Sequence, residues 1–312
     1  MRYKYLFGPV PSRRLGMSLG VDIIPKKVCS LDCVYCEVGA TTKLTTKRME
    51  YVLYDKVIAE IDDYMAKFPL PDYVTFSGSG EPTLNSRFGD ILHYIRSSYP
   101  QVKIAVLTNG TLMSDSLVRK EMMEADMVMP SLDAVTISAF EKINRPAPDI
   151  NISNYIEGIK TFAKEFKGVL NLEVLFLKGY NDDRGELLQI KKVVEQIGPS
   201  HVQLNTLDRP GVVDGLHPLS YDELQAIVDL WKLPYAEVIA KPVTRKNNPA
   251  FEENRRDIIL QTIKRRPCTV DDLAKLLGLH INEVNKYLDV LEADGLVKTS
   301  REERGVFYRS VY

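Results

Sequence analysis

Cys29-Ser30-Leu31-Asp32-Cys33-Val34-Tyr35-Cys36 sets three thiols within eight positions, shortly after the apolar, β-rich run 18–24. Working outward, further short runs of β-forming residues fall at 73–77, 104–108, 127–132, 172–177 and 201–207, each closed by Gly, Asn, Ser or Asp. Stretches with helical periodicity lie between them at 54–67, 86–98, 114–123, 153–166 and 183–196. Strand then helix, repeated about six times with short turns, predicts a parallel α/β sheet covered by helices. In such folds the chemistry gathers at the carboxyl ends of the strands, so the cysteine loop belongs to that rim.

The remaining composition narrows the class. The chain has 312 residues, enough for about two domains at ~150 residues each. With 41 basic and 42 acidic side chains its net charge is -1, so any polyanion-binding signal must be local. No apolar run approaches the ~18 residues of a membrane span, and the start Met1-Arg2-Tyr3-Lys4 lacks a secretory pattern. A cytoplasmic protein without membrane contact is therefore expected. Four cysteines are too few for a disulfide scaffold.

Lys241 to Asn254 reads as a connector with two prolines and a polar run. Beyond it, helices over 255–264, 270–277 and 281–293, then a two-stranded hairpin, describe a winged helix. An electron-transfer 4Fe-4S cluster takes four cysteines, and a structural zinc site four N or S ligands. The fourth cysteine, Cys268, lies far along the chain in this second unit. Three local thiols therefore imply one open iron.

At these residues the chain resembles the radical S-adenosylmethionine (SAM) superfamily, whose members carry such a Cys-x3-Cys-x-aromatic-Cys loop after the first strand of a repeating β/α chain. The resemblance covers most of residues 1–240. It implies a partial (β/α)6 TIM-like barrel over residues 1–245, followed by the winged-helix unit over 251–312. It also implies that Cys29, Cys33 and Cys36 hold a 4Fe-4S cluster and that the amino and carboxylate groups of SAM chelate the fourth iron. One electron from the cluster would cleave SAM to a 5′-deoxyadenosyl radical, which takes hydrogen from the substrate; the cofactor carries the chemistry and the protein aligns it. Phe76-Ser77-Gly78-Ser79-Gly80-Glu81-Pro82 stands where the superfamily carries a Gly-Gly-Glu-Pro-like segment. The resemblance assigns Gly78, Gly80 and Glu81 to the methionyl part of SAM, with glycines allowing close backbone approach. It places Tyr35 beside the adenine, and makes Asn109, Ser131 and Asp133 second-rank SAM contacts, with Asn205 a weaker one. Phe7-Gly8-Pro9-Val10-Pro11-Ser12-Arg13-Arg14 and Ile143-Asn144-Arg145-Pro146 look most like the wybutosine-synthesis-related enzymes, which modify a tRNA guanosine. The additional cysteines of archaeal members of that class are missing, so their condensation reaction is not carried over.

Plainer readings stand beside these. The three cysteines could form a zinc knuckle, although none of the four His lies near the loop. Glu81 could be a helix-start carboxylate, Asn109-Gly110 a turn, Tyr35 a packing residue, Asp22 a strand terminator and Cys268 a small core residue. Residues 1–50 carry nine basic and four acidic side chains, a net of +5 around the loop. That rim suits an anionic partner: tRNA, an anionic small molecule, or an acidic ferredoxin or flavodoxin donating the electron. Residues 251–312 carry eleven basic and eleven acidic side chains, which disfavours DNA binding by the winged helix. The alternatives are a redox sensor that reads nucleic acid through its winged helix, and an activase of a glycyl-radical partner. The catalytic residue and the substrate are not legible.

Overall fold

In the computed structural model the described residues are 3–12, 15–239, 255–279 and 281–311. Strands β1 (Leu6–Ser12) and β2 (Gly16–Val21) pair antiparallel, and after the cysteine loop begins, β3 (Val28–Cys29) pairs in parallel with β4 (Lys43–Leu44). The chain then runs α1 (Tyr54–Lys67), β5 (Tyr73–Phe76), α2 (Phe88–Ser98), β6 (Lys103–Thr108), α3 (Ser116–Glu121) and β7 (Met127–Pro130). It continues through α4 (Ile137–Ile143), α5 (Ile152–Glu165), β8 (Val169–Phe176), α6 (Arg184–Ile197), β9 (His201–Thr206), α7 (Tyr221–Trp231) and β10 (Ala236–Val238). The sheet is ordered β1-β2-β5-β6-β7-β8-β9-β10, and every neighbouring pair after β1-β2 is parallel.

The six expected strands are all present, and the sheet has eight. β1 is missed because Gly8, Pro9 and Pro11 argue against a strand; as an edge strand with irregular register between Phe7 and Val10 it tolerates them. β10 has only three residues, too few to show periodicity. Helices α4 and α7 also went unread.

Alternation within the strands separates two faces. In β8 the buried Leu172, Val174 and Phe176 alternate with the half-buried Glu173 and Leu175. Phe176 meets the buried Trp231 of α7 edge to face at 5.9 Å, so this side packs on helices. Burying each such side chain stabilises the fold by roughly 1.5–3 kcal/mol. The helix starts are set by side-chain caps: Asp183 accepts from the backbone N–H groups of Gly185 and Glu186 to start α6, and Asn151 from Asn154 to start α5. Residues on the other face, together with the loops after the strands, form the rim that carries the cysteines.

After the sheet come α8 (Arg255–Arg265), α9 (Val270–Leu277), α10 (Ile281–Ala293) and an antiparallel hairpin of β11 (Val297–Glu302) and β12 (Gly305–Ser310). Ile259, Ile263, Leu273, Val284, Leu288 and Leu291 build a core separate from that of the sheet. Cys268 is buried there and pairs its backbone with Tyr308, as a packing residue would. The expected connector, 241–254, lies outside the described residues, as do Arg2, Arg13 and Arg14 of the basic rim. Among the described residues no helix is long and apolar enough to cross a membrane.

Candidate functional site

The cysteine loop is stitched to the sheet on both sides. On one side Lys27 N–H donates to the Ser79 carbonyl at 2.6 Å and Glu81 N–H to the Val28 carbonyl at 3.2 Å. On the other, Asp32 N–H reaches the Asn144 carbonyl at 3.0 Å, Val34 N–H reaches Ile143 at 3.0 Å, and Val212 N–H reaches Val34 at 3.0 Å. The loop is thus fixed by segments that follow β5, β7 and β9.

Each of the three half-buried sulfurs receives one N–H donor from a different side chain. Asn109 Nδ2, just past β6, stands 3.5 Å from Cys29 Sγ. Asn144 Nδ2, at the end of α4, stands 3.4 Å from Cys33 Sγ. Lys27 Nζ stands 3.0 Å from Cys36 Sγ. Burial pushes the Cys29 thiol up to about 11, with the Glu81 carboxylate adding to the shift. Burial and then Asp133 push Cys33 up further. Without a metal Cys29 and Cys33 hold their protons at neutral pH, and ligation must displace them. Among the described residues no three His, Cys, Asp or Glu side chains gather around a single metal ion. Cluster cysteines instead bind one iron each.

Gly78 and Gly80 both face groups of the protein itself. A Cβ at Gly80 would fall on the Val28 carbonyl oxygen, and one at Gly78 on the Asp22 carboxylate. Asp22 does more than end β2: it accepts from Ser79 Oγ at 2.7 Å and from Ser79 N–H at 3.3 Å. The Ser79 carbonyl is taken by Lys27, whereas no hydrogen bond among the described residues ends on the carbonyls of Gly78 or Gly80. Glu81, only 2% exposed, accepts from Thr83 Oγ1 at 2.6 Å, Thr83 N–H at 3.1 Å, Thr108 Oγ1 at 2.7 Å and Asn109 N–H at 2.7 Å. Three of these donors share Oε1, and Asn109 N–H holds Oε2. Its side chain clamps the glycine segment to the end of β6 and thereby sets the position of Asn109. Burial raises its pKa against the pull of these hydrogen bonds.

Asp133 plays a parallel part after β7. Its carboxylate accepts from the Tyr35 hydroxyl, from Asn144 Nδ2 at 2.8 Å and from Leu175 N–H at 2.9 Å. It thus holds Tyr35 in the cysteine loop and aims Asn144 at Cys33. Asn109 accepts through Oδ1 from Thr111 and donates to Ser30 Oγ at 2.9 Å as well as to Cys29. Ser131 lies at the end of β7 with its carbonyl held by Tyr155, and among the described residues its hydroxyl makes no hydrogen bond. Asn205 donates to Glu173 at 3.1 Å on the neighbouring strand.

The C-terminal helices reach this rim. Arg209, 9% exposed in the segment after β9, donates to the Pro267 carbonyl and to Asp272, both at 2.7 Å, and lies 3.5 Å from Glu37. Arg304 in the β11-β12 turn bridges Asp208 at 2.7 Å and Asp272 at 2.6 Å. Arg265 at the end of α8 lies 3.9 Å from the Phe7 ring centroid and donates to Asp22 at 3.1 Å. Glu283 in α10 and Asp294 just beyond it pair with Arg255 and Arg256 of α8. Lys27, Asn144, Asp22 and Arg265 were not singled out as site residues in the sequence. Lys27 adjoined the cysteine loop and Asn144 stood within Ile143-Asn144-Arg145-Pro146, but nothing in their spacing showed that they reach sulfur.

A three-thiol loop at the strand ends of a parallel α/β sheet defines a redox or metal-dependent class of protein rather than a disulfide scaffold. The sequence profile of the Radical SAM superfamily matches residues 23–190, the span from the end of β2 to α6. The chain belongs to the radical SAM superfamily. A UPF0026 protein of Helicobacter pylori is 39% identical over 290 residues, covering 92% of this chain and 91% of that protein. A Brachyspira hyodysenteriae protein named GTPase Obg is 32% identical over 299 residues, which cover 96% of this chain but 44% of that protein. The chain therefore spans less than half the length of that relative. A radical SAM methyltransferase from Sphaerobacter thermophilus shares the fold at a TM-score of 0.53 and 17% identity, over 71% of this chain and 66% of its own.

Proposed function

We propose that the chain is a radical SAM enzyme in which Cys29, Cys33 and Cys36 ligate a 4Fe-4S cluster with one iron left for SAM. The observation that carries this reading is the set of three sulfurs at the strand ends, each with its own N–H donor. The donor set fits the group: hydrogen bonds to cluster sulfurs and a nearby cation favour an anionic cluster. When bound and reduced by an external donor, the cluster would supply one electron that breaks the C5′–S bond of the SAM sulfonium, releasing methionine and a 5′-deoxyadenosyl radical that takes hydrogen from a substrate.

The chain's own residues position SAM. The carbonyls of Gly78 and Gly80, free among the described residues, suit its ammonium, and the Ser131 hydroxyl, likewise free among them, suits its ribose or carboxylate. Tyr35, held by Asp133, sits on the loop where the adenine would pack. Glu81, Asn109 and Asp133 fix these groups from behind. Residues 1–245 act as the barrel, and 251–312 as a winged helix that covers its rim through Arg209, Arg265 and Arg304. The internal pairing of Glu283 and Asp294 supports covering over DNA binding. The substrate reading is an anionic one, a tRNA base or a small molecule, as in the wybutosine-related subgroup. A ferredoxin or flavodoxin in the cytoplasm is the proposed electron donor.

The test is anaerobic reconstitution with iron and sulfide, then reduction by dithionite in the presence of SAM. Wild type releases 5′-deoxyadenosine and each of Cys29→Ala, Cys33→Ala and Cys36→Ala does not. Release at the native rate by any of the three contradicts the assignment.

A further inference from the structure

We infer that Lys27 is a charge-tuning residue for the cluster, raising its reduction potential through an ammonium set against Cys36; this rests on the proposed 4Fe-4S reading. Lys27 is only 3% exposed, and among the described residues Nζ has one hydrogen-bond partner, Cys36 Sγ at 3.0 Å. Among the described residues no ion pair joins it to a carboxylate. A lysine buried without a counter-charge is strongly disfavoured, because removing an ammonium from water costs several kcal/mol unless an anion meets it. Among the described residues the group that meets Lys27 Nζ is the Cys36 sulfur, which becomes anionic once it is ligated to metal.

The backbone supports the same reading. Lys27 has φ 60°, a left-handed conformation for which glycine is the default residue. Its N–H is fixed on the Ser79 carbonyl and its own carbonyl takes Thr42 and Lys43 N–H groups. A residue with no strain at this φ would satisfy the same backbone bonds. The lysine adds a charge delivered to one sulfur, the pattern expected where strain accompanies function.

The consequence follows from charge alone. Reduction adds one electron and no proton to the cluster, so the reduced form is more negative and gains more from a cation beside its ligand. Removing the cation favours the oxidised form and demands a stronger reductant.

The experiment is a spectroscopic redox titration of reconstituted protein, with iron and sulfide content measured for each variant. Lys27→Gln keeps an N–H donor without the charge, Lys27→Met removes both, and Lys27→Arg keeps the charge. Lys27→Gln and Lys27→Met are expected to load clusters and to lower the reduction equilibrium constant at least tenfold, about 59 mV for one electron. Lys27→Arg is expected to stay within threefold of wild type. If Lys27→Met loads poorly, Lys27→Gln decides. A fully loaded Lys27→Gln with the wild-type potential overturns the inference and leaves the cluster assignment standing. Wild-type protein that takes up no cluster overturns both.

Discussion

Glu81 and Asp133 are two buried carboxylates with opposite neighbours and one task, to hold a side chain that reaches a cysteine. Glu81 fixes the backbone of Asn109, and Asp133 binds Asn144 directly. Replacing Glu81 by Ala leaves two hydroxyls and two backbone N–H groups without their acceptor. Unmade bonds of this kind cost about 1–3 kcal/mol. Glu81→Ala is therefore expected to lower the midpoint of chemical denaturation of the apo-protein and to weaken SAM binding, while the three cysteines still take up iron. Unchanged stability and SAM affinity together would remove the clamp from the account. Burial, the largest influence on Glu81, raises its pKa above 4.5 despite four hydrogen bonds. An acid raised on folding contributes stability that is fully present below its unfolded pKa and lost as pH rises through the folded one. The advantage of wild type over Glu81→Gln should accordingly shrink as pH rises above about 4.5. A gap that widens with pH would mean that hydrogen bonding outweighs burial.

The elements that carry the site were legible to different degrees. The run 18–24, the cysteine loop and the Gly78-Ser79-Gly80-Glu81 segment announced themselves by composition, and α1 begins and ends where its apolar periodicity does. β1 did not, because its prolines look like breakers until it is known to be an edge. The glycines were legible as places of close approach, but the approaching partner was not: it is Val28 and Asp22 of the protein, brought there by pairing of β2 with β5. Asn144 was equally hidden, since its distance from Cys33 is set by α4, a helix whose pattern is short. The two glycines therefore differ in a testable way. Gly80→Ala sets a methyl against fixed backbone, whereas Gly78→Ala meets a side chain that can turn aside. Iron content after reconstitution should fall severalfold in Gly80→Ala and stay near wild type in Gly78→Ala. Equal effects would show that the two loops are not packed as described.

Across the whole molecule, the second unit meets the sheet through ion pairs of Asp272 with Arg209, Arg304 with Asp208 and Arg265 with Asp22. Burial alone would raise the pKa of Asp272, but Arg209, the Thr269 N–H and Arg304 together hold it below 3.8. An acid lowered on folding contributes stability above its unfolded pKa and loses it as pH falls through the folded one. Asp272→Asn should cost about 2 kcal/mol at pH 7, the worth of hydrogen bonds to charged groups. That difference should fade as pH drops below about 4. Denaturation of both proteins at pH 7 and pH 3.5 checks it, and a pH-independent difference would contradict the ion-pair account. The existence of the C-terminal helices and hairpin was read from sequence, but their attachment was not, because Arg209, Arg265 and Arg304 meet partners dozens to hundreds of positions away.

The account stands most directly on electron paramagnetic resonance of the anaerobically reconstituted, dithionite-reduced chain, recorded before and after SAM is added. A signal from a reduced 4Fe-4S cluster whose line shape changes with SAM is the predicted result. A cluster signal indifferent to SAM, or protein that binds zinc in place of iron, would contradict the assignment of an open iron at the three-cysteine loop.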